Sequence, residues 1–365
     1  MKHKILLLAI TLLLVILIAG NLISLKSKQD DVIELGAILI LSGSGASTGT
    51  MIKQGIDLAV SEINIESING KKIKVNYQDN PGDDKNLAIS ALHQFKNQGI
   101  ELIIGTTWSG SALAVAPVAC NNNMLLVAPG IGLKEFEQEC DYLFNAWMAD
   151  EDVSNLLGEK IYGDGHKQLA ILGSQQAWEI IQANSVKKGF IEAGGEVVAY
   201  ELALADQKDF KTEILKIKQS KPDAIFIQYI YQDIISKQLK QANLNIPIYV
   251  ELIDSTRVKN ADGALEGTIA TSQISPTTEF VNKFELAYGK LPDVGADNGY
   301  DAVMLIANAI KETKSTDATV LKDYLKTIIT YNGASGNLTF NEYGGVSKDI
   351  SFIKVINGNI VPLVN

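Results

Sequence analysis

From residue 32 onward, short β-branched runs alternate with stretches whose apolar residues recur at helical spacing. Strands are predicted at 32–41, 72–77, 101–104 and 124–127. The intervening helices are predicted at 49–64, 84–97 and 110–121; the first carries Met51, Ile52, Gly55, Ile56, Ala59, Val60 and Ile63 on one face. After a short run at 142–145 the rhythm restarts, with strands at 169–172, 196–204, 224–228 and 248–250 and helices at 177–193, 209–219 and 232–242. Runs of this kind, bounded by Gly, Asn and Pro, predict βαβ units and an α/β fold of two Rossmann-like lobes with mostly parallel sheets. The remainder breaks the alternation, with helices at 278–288, 296–313 and 318–329 and strands at 337–340, 351–356 and 359–363. This tail is too short for a third core. No low-complexity linker separates the lobes, so several chain crossings at a hinge are expected.

The N-terminus adds a different signal. Residues 5–25 carry no charge, and about 20 apolar residues span a bilayer. Lys2 and Lys4 precede the run and Lys26 and Lys28 follow it, but Asp30, Asp31 and Glu34 dilute the second pair. That favours an N-terminus inside and a body outside the cytoplasmic membrane. The run reads as an N-terminal hydrophobic helix that is either a retained anchor or a cleaved signal. Ile18-Ala19-Gly20 resembles the start of a lipoprotein signal, with Asn21 where the lipidated cysteine would stand.

The net charge is −10 over 365 residues, and residues 1–30 carry +3, so the rest carries −13. A body this acidic repels phosphate backbones and excludes nucleic acid as a partner. In an exported chain, Cys120 and Cys140 form a disulfide or remain two buried thiols. Their spacing and neighbours suggest no metal site.

Two motifs look catalytic and fail on their partners. Gly45-Ala46-Ser47-Thr48-Gly49 has the G-x-S-x-G form, but a serine nucleophile needs a base, usually histidine. Outside the N-terminal segment only His93 and His166 exist, one mid-helix and one in a turn. The same loop, from Gly43, nearly matches a dinucleotide fingerprint. Thr48 replaces its third glycine, and the acid ending the next strand, Asp79, is too far along. No enzyme chemistry and no cofactor follow.

What remains is polar chemistry at strand ends, where open α/β sheets bind ligands. Strand 101–104 runs into Gly105-Thr106-Thr107-Trp108-Ser109-Gly110-Ser111 and then a helix. Hydroxyls and free N–H groups at a helix N-terminus suit a carboxylate. Strand 124–127 runs into Ala128-Pro129-Gly130-Ile131-Gly132, whose glycines allow a ligand close to the backbone. The second half delivers Trp178, then Tyr229 and Tyr231, then Glu251 and Asp254. The aromatics would bury an apolar part, unless they are simply core, and a carboxylate would meet an ammonium.

Together these residues resemble the type I periplasmic-binding proteins, specifically the leucine/isoleucine/valine-binding branch that serves ABC transporters, over roughly 33–363. The resemblance rests on Leu41-Ser42-Gly43 with Gly49 and Glu62-Ile63-Asn64, on Ile103-Ile104-Gly105 through Ala128-Pro129-Gly130, and on Phe190 to Gly195 with Asp209-Phe210. Gly263, Glu266-Gly267, Tyr300-Asp301-Ala302 and Gly336–Phe340 complete it. It implies a three-stranded hinge, with crossings near 144–147, 271–273 and 330–333. Lobe 1 would be 31–146 plus 273–330 and lobe 2 147–272 plus 331–365, behind a signal or anchor at 1–30.

The resemblance also implies roles. Ser109, with the N–H of Gly110 after it, would bind an α-carboxylate, and Gly130 would contact the ligand through its backbone. Trp178 stands where a tyrosine usually closes over the ligand, and Tyr231 matches the second-lobe tyrosine. Glu251 lies within one residue of the acid that meets the α-ammonium, with Asp254 as the fallback. Gly132 stands where a threonine is usual, a departure that bears on ligand identity. The implied protein is extracytoplasmic, captures an amino acid or related zwitterion by hinge closure, and delivers it to an ABC permease; the alternative is a ligand-sensing receptor domain.

Overall fold

The structure is a computed structural model that describes residues 32–363, apart from Ser44, Gln176, 205–206, 229–230 and 272–275. The expected apolar helix at 5–25 lies outside the described residues, as do positions 272–273 of one expected crossing. No helix among the described residues is long and apolar enough to cross a membrane.

The first stretch of chain forms β1 (Val32–Leu39), α1 (Ala46–Glu66), β2 (Lys72–Asp79), α2 (Lys85–Asn97), β3 (Leu102–Gly105), α3 (Ser109–Asn121), β4 (Leu125–Ala128), the short α4 (Glu135–Gln138) and β5 (Leu143–Asn145). Next come α5 (Asp150–Gly163), β6 (Gln168–Ser174), α6 (Ala177–Glu192), β7 (Glu196–Ala203), α7 (Lys211–Ser220) and β8 (Ala224–Ile227). They are followed by α8 (Gln232–Gln241), β9 (Ile248–Val250), α9 (Ser255–Asn260) and β10 (Ile269–Thr271). The last stretch forms α10 (Thr278–Tyr288), α11 (Ala296–Thr313), α12 (Ala318–Leu325), β11 (Thr330–Gly333), β12 (Gly336–Phe340), β13 (Val346–Ser347), β14 (Phe352–Ile356) and β15 (Asn359–Pro362).

These elements group into two units. One comprises the chain up to Pro129, Glu139–Phe144 and Val281–Ile328; the other comprises Gly130–Gln138, Asn145–Phe280 and the chain from Ile329. The chain thus passes between the units several times.

The first unit is built on a sheet of order β2-β1-β3-β4-β5, in which β1 pairs in parallel with β2 and β3, and β3 with β4. The second is built on β15-β14-β10-β9-β8-β6-β7. Its strands β7 through β10 pair in parallel, while β14 and β15 run antiparallel. With β6 counted as first, the parallel part of the second sheet repeats the 2-1-3-4-5 order of the first. In such doubly wound sheets the chain leaves in opposite directions from two adjacent strands, and a crevice opens at their carboxyl ends. Those strands are β1 and β3 in the first unit and β6 and β8 in the second. A small antiparallel sheet, β11-β12-β13, also belongs to the second unit.

Helices cover both faces of a parallel sheet, which is why the strands read as continuous apolar runs rather than alternating ones. All four residues of β3 and of β4 are buried, as are Ala37, Ile38 and Leu39 of β1. Two helix pairs cross at glycine. A Cβ at Gly55 of α1 would lie 1.8 Å from the carbonyl oxygen of Ala296, and one at Gly299 of α11 2.5 Å from that of Ile52. In the second unit the same device joins α5 and α6: a Cβ at Gly158 would lie 2.3 Å from the Val186 oxygen, and one at Gly189 2.1 Å from the Asn155 oxygen.

Cys120, at the end of α3, and Cys140, just before β5, are joined by a disulfide with Cα atoms 6.0 Å apart. Besides several short elements that the pattern did not predict, two helices differ from expectation. Helix α5 was not anticipated, because its buried seam contains Ser154 and Gly158 beside Val153, Leu157 and Ile161, which dilutes the apolar period. Helix α12 stops at Leu325 rather than near 329, where the chain turns into β11.

Candidate functional site

In the first unit, the loops after β1 and β3 are held by their own polar groups. The Asp79 carboxylate at the end of β2 accepts from the N–H groups of Leu41 (2.9 Å) and Ser42 (3.2 Å) and from Ser42 Oγ (2.6 Å). Desolvation pushes this carboxyl up, but those hydrogen bonds outweigh it and hold it below the ordinary range. The acid weighed as a ribose ligand thus serves the loop. Thr107 Oγ1 accepts from Ile40 N–H at 2.8 Å, and the Trp108 indole lies against Gly45, 2.7 Å from where a Cβ would be. Gly45 adopts φ +91°, which a side chain would strain.

Ser109 and Gly110 are the first two residues of α3, both half-buried. The next residue is already engaged: Ser111 donates from its N–H (3.1 Å) and from Oγ to Asp83 Oδ1. Asp83 ends a 3-10 turn, Pro81–Asp83, and its Oδ2 would lie 2.4 Å from a Cβ at Gly110. An internal carboxylate therefore shares the positive end of this helix. The turn residues Pro81-Gly82-Asp83 were the signal that could have indicated it.

Among the other motif residues, Ser47 lies in the first turn of α1. His93 is exposed on α2, and His166 belongs to the second unit, where its Nδ1 faces Asp223 Oδ1 at 3.8 Å. No group of His, Cys, Asp and Glu among the described residues could hold a metal ion.

The second unit places its candidates at successive strand ends. Trp178, half-buried, is in the first turn of α6 after β6. Tyr231, half-buried, immediately precedes α8 after β8, and its ring lies 5.9 Å from that of Phe210 against the core. Glu251 follows β9 directly and is 1% exposed. Asp254 caps α9, accepting from Arg257 N–H at 2.7 Å and from the Arg257 guanidinium, so it serves that helix.

Glu251 is the least ordinary group. Its Oε2 accepts from Ser154 Oγ, its backbone oxygen accepts from Thr271 Oγ1 at 2.5 Å, and its Oε1 is buried with no hydrogen-bond partner. Burial pushes this carboxyl well above the usual range, and the nearby Asp150 charge adds to the effect; Ser154 and Gln182 act the other way. Asp150 opens α5 and Ser154 sits one turn on, so both lie on the face that ends at the Gly158 crossing with α6. Gln182, 2% exposed, comes from α6.

The glycine loop before α4 meets the same group. Gly130 is half-buried and Gly132 buried. The Asp150 N–H donates to Gly132 O at 2.9 Å, and the Asp150 carboxylate lies against the Gly132 Cα, with Oδ2 2.0 Å from the place of a Cβ. Trp147 Nε1 donates to Asp150 Oδ1 at 3.1 Å. Asp150, Ser154 and Gln182 were missed in the sequence. The acidic triplet Asp150-Glu151-Asp152 ahead of an apolar run was the available sign of a helix start there.

A second buried network fixes the start of α6. Ser174 N–H donates to Gln228 Oε1 at 2.7 Å, Gln228 Nε2 donates to the Glu179 oxygen, and Ser174 Oγ donates to the Glu179 carboxylate. Burial pushes Glu179 up, with Ser174 opposing. The clamp sets the turn that carries Trp178.

A family model described as periplasmic binding protein matches residues 32–359. The chain is 27% identical over 334 residues to a Leu/Ile/Val-binding protein homolog 2 of Brucella abortus, covering 88% of this chain and 89% of that one. Its fold superposes on the branched-chain amino acid transporter substrate binding protein LivJ of Streptococcus pneumoniae, solved with isoleucine, with a TM-score of 0.77 at 26% identity, over 90% of this chain and 97% of that one. A solute binding protein of an ABC transporter from R. palustris, solved with benzoate, superposes with a TM-score of 0.79 at 22% identity, over 91% and 95% of the two chains.

Proposed function

The chain belongs to the periplasmic binding protein family, in its type I, Leu/Ile/Val-binding branch, and from that premise we propose that it captures an amino acid or a closely related zwitterion outside the cytoplasmic membrane and delivers it to an ABC permease. The family is one of solute-binding proteins rather than enzymes, and its members act outside the cytoplasm. In this reading the Ser109 hydroxyl and the N–H of Gly110 take the ligand's carboxylate. Gly130 and Gly132 admit it close to the backbone, Glu251 takes its ammonium, and Trp178 and Tyr231 cover its side chain. Capture is coupled to hinge motion at the chain crossings, because contacts made only in the closed state are what favour closure. Residues 5–25 direct the protein across the membrane and, if uncleaved, tether it there.

The observation that carries this reading is Glu251: a carboxylate 1% exposed, at a strand's carboxyl end, with one oxygen unpartnered. Leaving such an atom unmatched costs about 1–3 kcal/mol, which a ligand donor would recover. A thermal-shift screen of the common amino acids tests it. At a ligand concentration 100 times the dissociation constant, stabilisation is about 2.7 kcal/mol. No response to any of them would sink the reading. Mass spectrometry of the protein from membranes and medium decides between anchor and cleaved signal.

A second reading follows from the benzoate-bound neighbour: an aromatic carboxylic acid as ligand. It makes use of Ser109 and Trp178 and leaves Glu251 Oε1 unmatched.

A further inference from the structure

The candidate site uses the carboxyl ends of the strands, and the second unit has a cavity at the amino ends of its parallel strands. It measures about 790 Å³, within the roughly 300–1,000 Å³ of small-molecule pockets. Its floor is a row across three strands: Tyr249 of β9 pairs with Ile269 of β10, and Ile269 with Lys354 of β14. Leu239 of α8, Leu244 and Ile246 in the loop that follows, Ile248 at the start of β9 and Leu363 after β15 give it an apolar wall. Its charged groups are Lys160, Lys240 and Lys354 against Asp164 and Glu266. Both carboxylates are already engaged. Asp164 accepts from Lys160 and, at 2.8 Å, from the Tyr249 hydroxyl, while Glu266 accepts from the N–H groups of Asn357 (2.8 Å) and Gly358 (3.2 Å). His166, also in the lining, stands edge-on to the Tyr249 ring at 5.6 Å, and its Nδ1 faces Asp223. Lys240, exposed, and Lys354, half-buried, differ from these: among the described residues neither makes an ion pair or a side-chain hydrogen bond.

We propose that this cavity is a second binding site, for an organic anion with an apolar body: Lys240 and Lys354 take the anionic group, and the wall from Leu239 to Ile248 with Leu363 takes the hydrocarbon. In a chain of net charge −10, three lysines around one concavity make a local exception, and such a concavity draws anions in. Lys160 is neutralised by Asp164, so the charge left over is that of the other two. A hydrogen bond to a charged group is stronger than one between neutral groups, and a carboxylate offers two oxygens to two ammonium groups. The lysine stems add apolar surface beside the wall. A cationic ligand would meet two lysines and find both carboxylates occupied. The site is independent of the capture reading, because none of its lining residues is assigned to the amino acid there.

The test is calorimetry on the full-length protein in mild detergent, with titrations into detergent alone subtracted. The probes are 4-phenylbutyrate and its uncharged counterpart, 4-phenylbutyramide. The expected result is saturable binding of the acid, with the amide weaker by about tenfold or more. Lys240→Gln/Lys354→Gln should bring the acid down to the level of the amide and leave the amide unchanged, at an unaltered melting temperature. Ser109→Ala, which removes a hydroxyl from the strand-end site of the first unit, should leave the acid's affinity as it was. If the double variant does not fold, Lys240→Gln alone, at an exposed helix end, should weaken the acid and spare the amide. Acid and amide binding alike, an acid affinity unmoved by the lysine variants, its loss in Ser109→Ala, or no saturable binding of the acid overturns the site. Each of these outcomes leaves amino-acid capture standing.

Discussion

Replacing Glu137 by glutamine isolates the cost of burying one carboxylate. Glu137 lies in α4 at 3% exposure, its Oε2 has no hydrogen-bond partner, and its Oε1 would come within 2.3 Å of a Cβ at Gly345. Desolvation raises its pKa from the ordinary 4.5 to about 7, against the opposing effects of its backbone hydrogen bond, the Asn145 side chain and Lys134. A carboxyl raised on folding contributes stability that is fully present below its unfolded pKa and lost as pH climbs through the folded one. From 4.5 to about 7, the loss amounts to about 3 kcal/mol at 1.36 kcal/mol per pH unit. Glutamine cannot ionise, so the variant lacks this loss. Urea unfolding of both proteins between pH 4.5 and 8 should therefore show the wild type falling relative to Glu137→Gln by about 3 kcal/mol, with most of the fall complete near pH 7. Comparing two proteins differing at one position cancels the remaining titrating groups. A difference that stays flat across this range, or rises with pH, would refute the reasoning.

Three further outcomes are expected. Replacing both Cys120 and Cys140 by serine reopens a loop of 20 residues and should cost about 3 kcal/mol by loop-closure entropy, read as a lower unfolding midpoint under non-reducing conditions. Gly158→Ala drives a methyl to within 2.3 Å of the Val186 carbonyl oxygen and should destabilise by about 1–3 kcal/mol, read as a lower melting temperature; an unchanged melt would show that the α5–α6 seam yields freely. Asp83→Asn keeps an acceptor for Ser111 but removes the negative charge beside the α3 N-terminus. Calorimetry with a responding amino acid should show affinity gained by about 0.3–1 kcal/mol; weaker binding would mean that the ligand's carboxylate goes elsewhere.

Where the sequence was legible, burial was apolar and periodic. The bounds of α10 and α11 read directly from the pattern, and α11 is lined by Ala302, Val303, Leu305, Ile306, Ala309 and Ile310. The candidate residues that sequence reasoning reached, Ser109, Trp178, Tyr231 and Glu251, all follow strands, because turn chemistry after an apolar run marks a carboxyl end. Of those it did not reach, Asp150 and Ser154 lie on helix α5, for the reason that hid the helix itself. Alongside the buried Val153, Leu157 and Ile161, this helix carries Asp150, Ser154 and Gly158 at intervals of four: a charge, a hydroxyl and a glycine that dilute the apolar stripe. Each has its reason only in three dimensions. Gly158 is small because the α6 backbone passes over it, Ser154 is polar because Glu251 comes to it from 97 residues further along the chain, and Asp150 fits because Gly132 has no side chain. A polar residue on a buried helix face costs free energy unless a partner meets it. Helix α5 tolerates its polar positions because such partners are in place, Glu251 for Ser154 and Trp147 for Asp150.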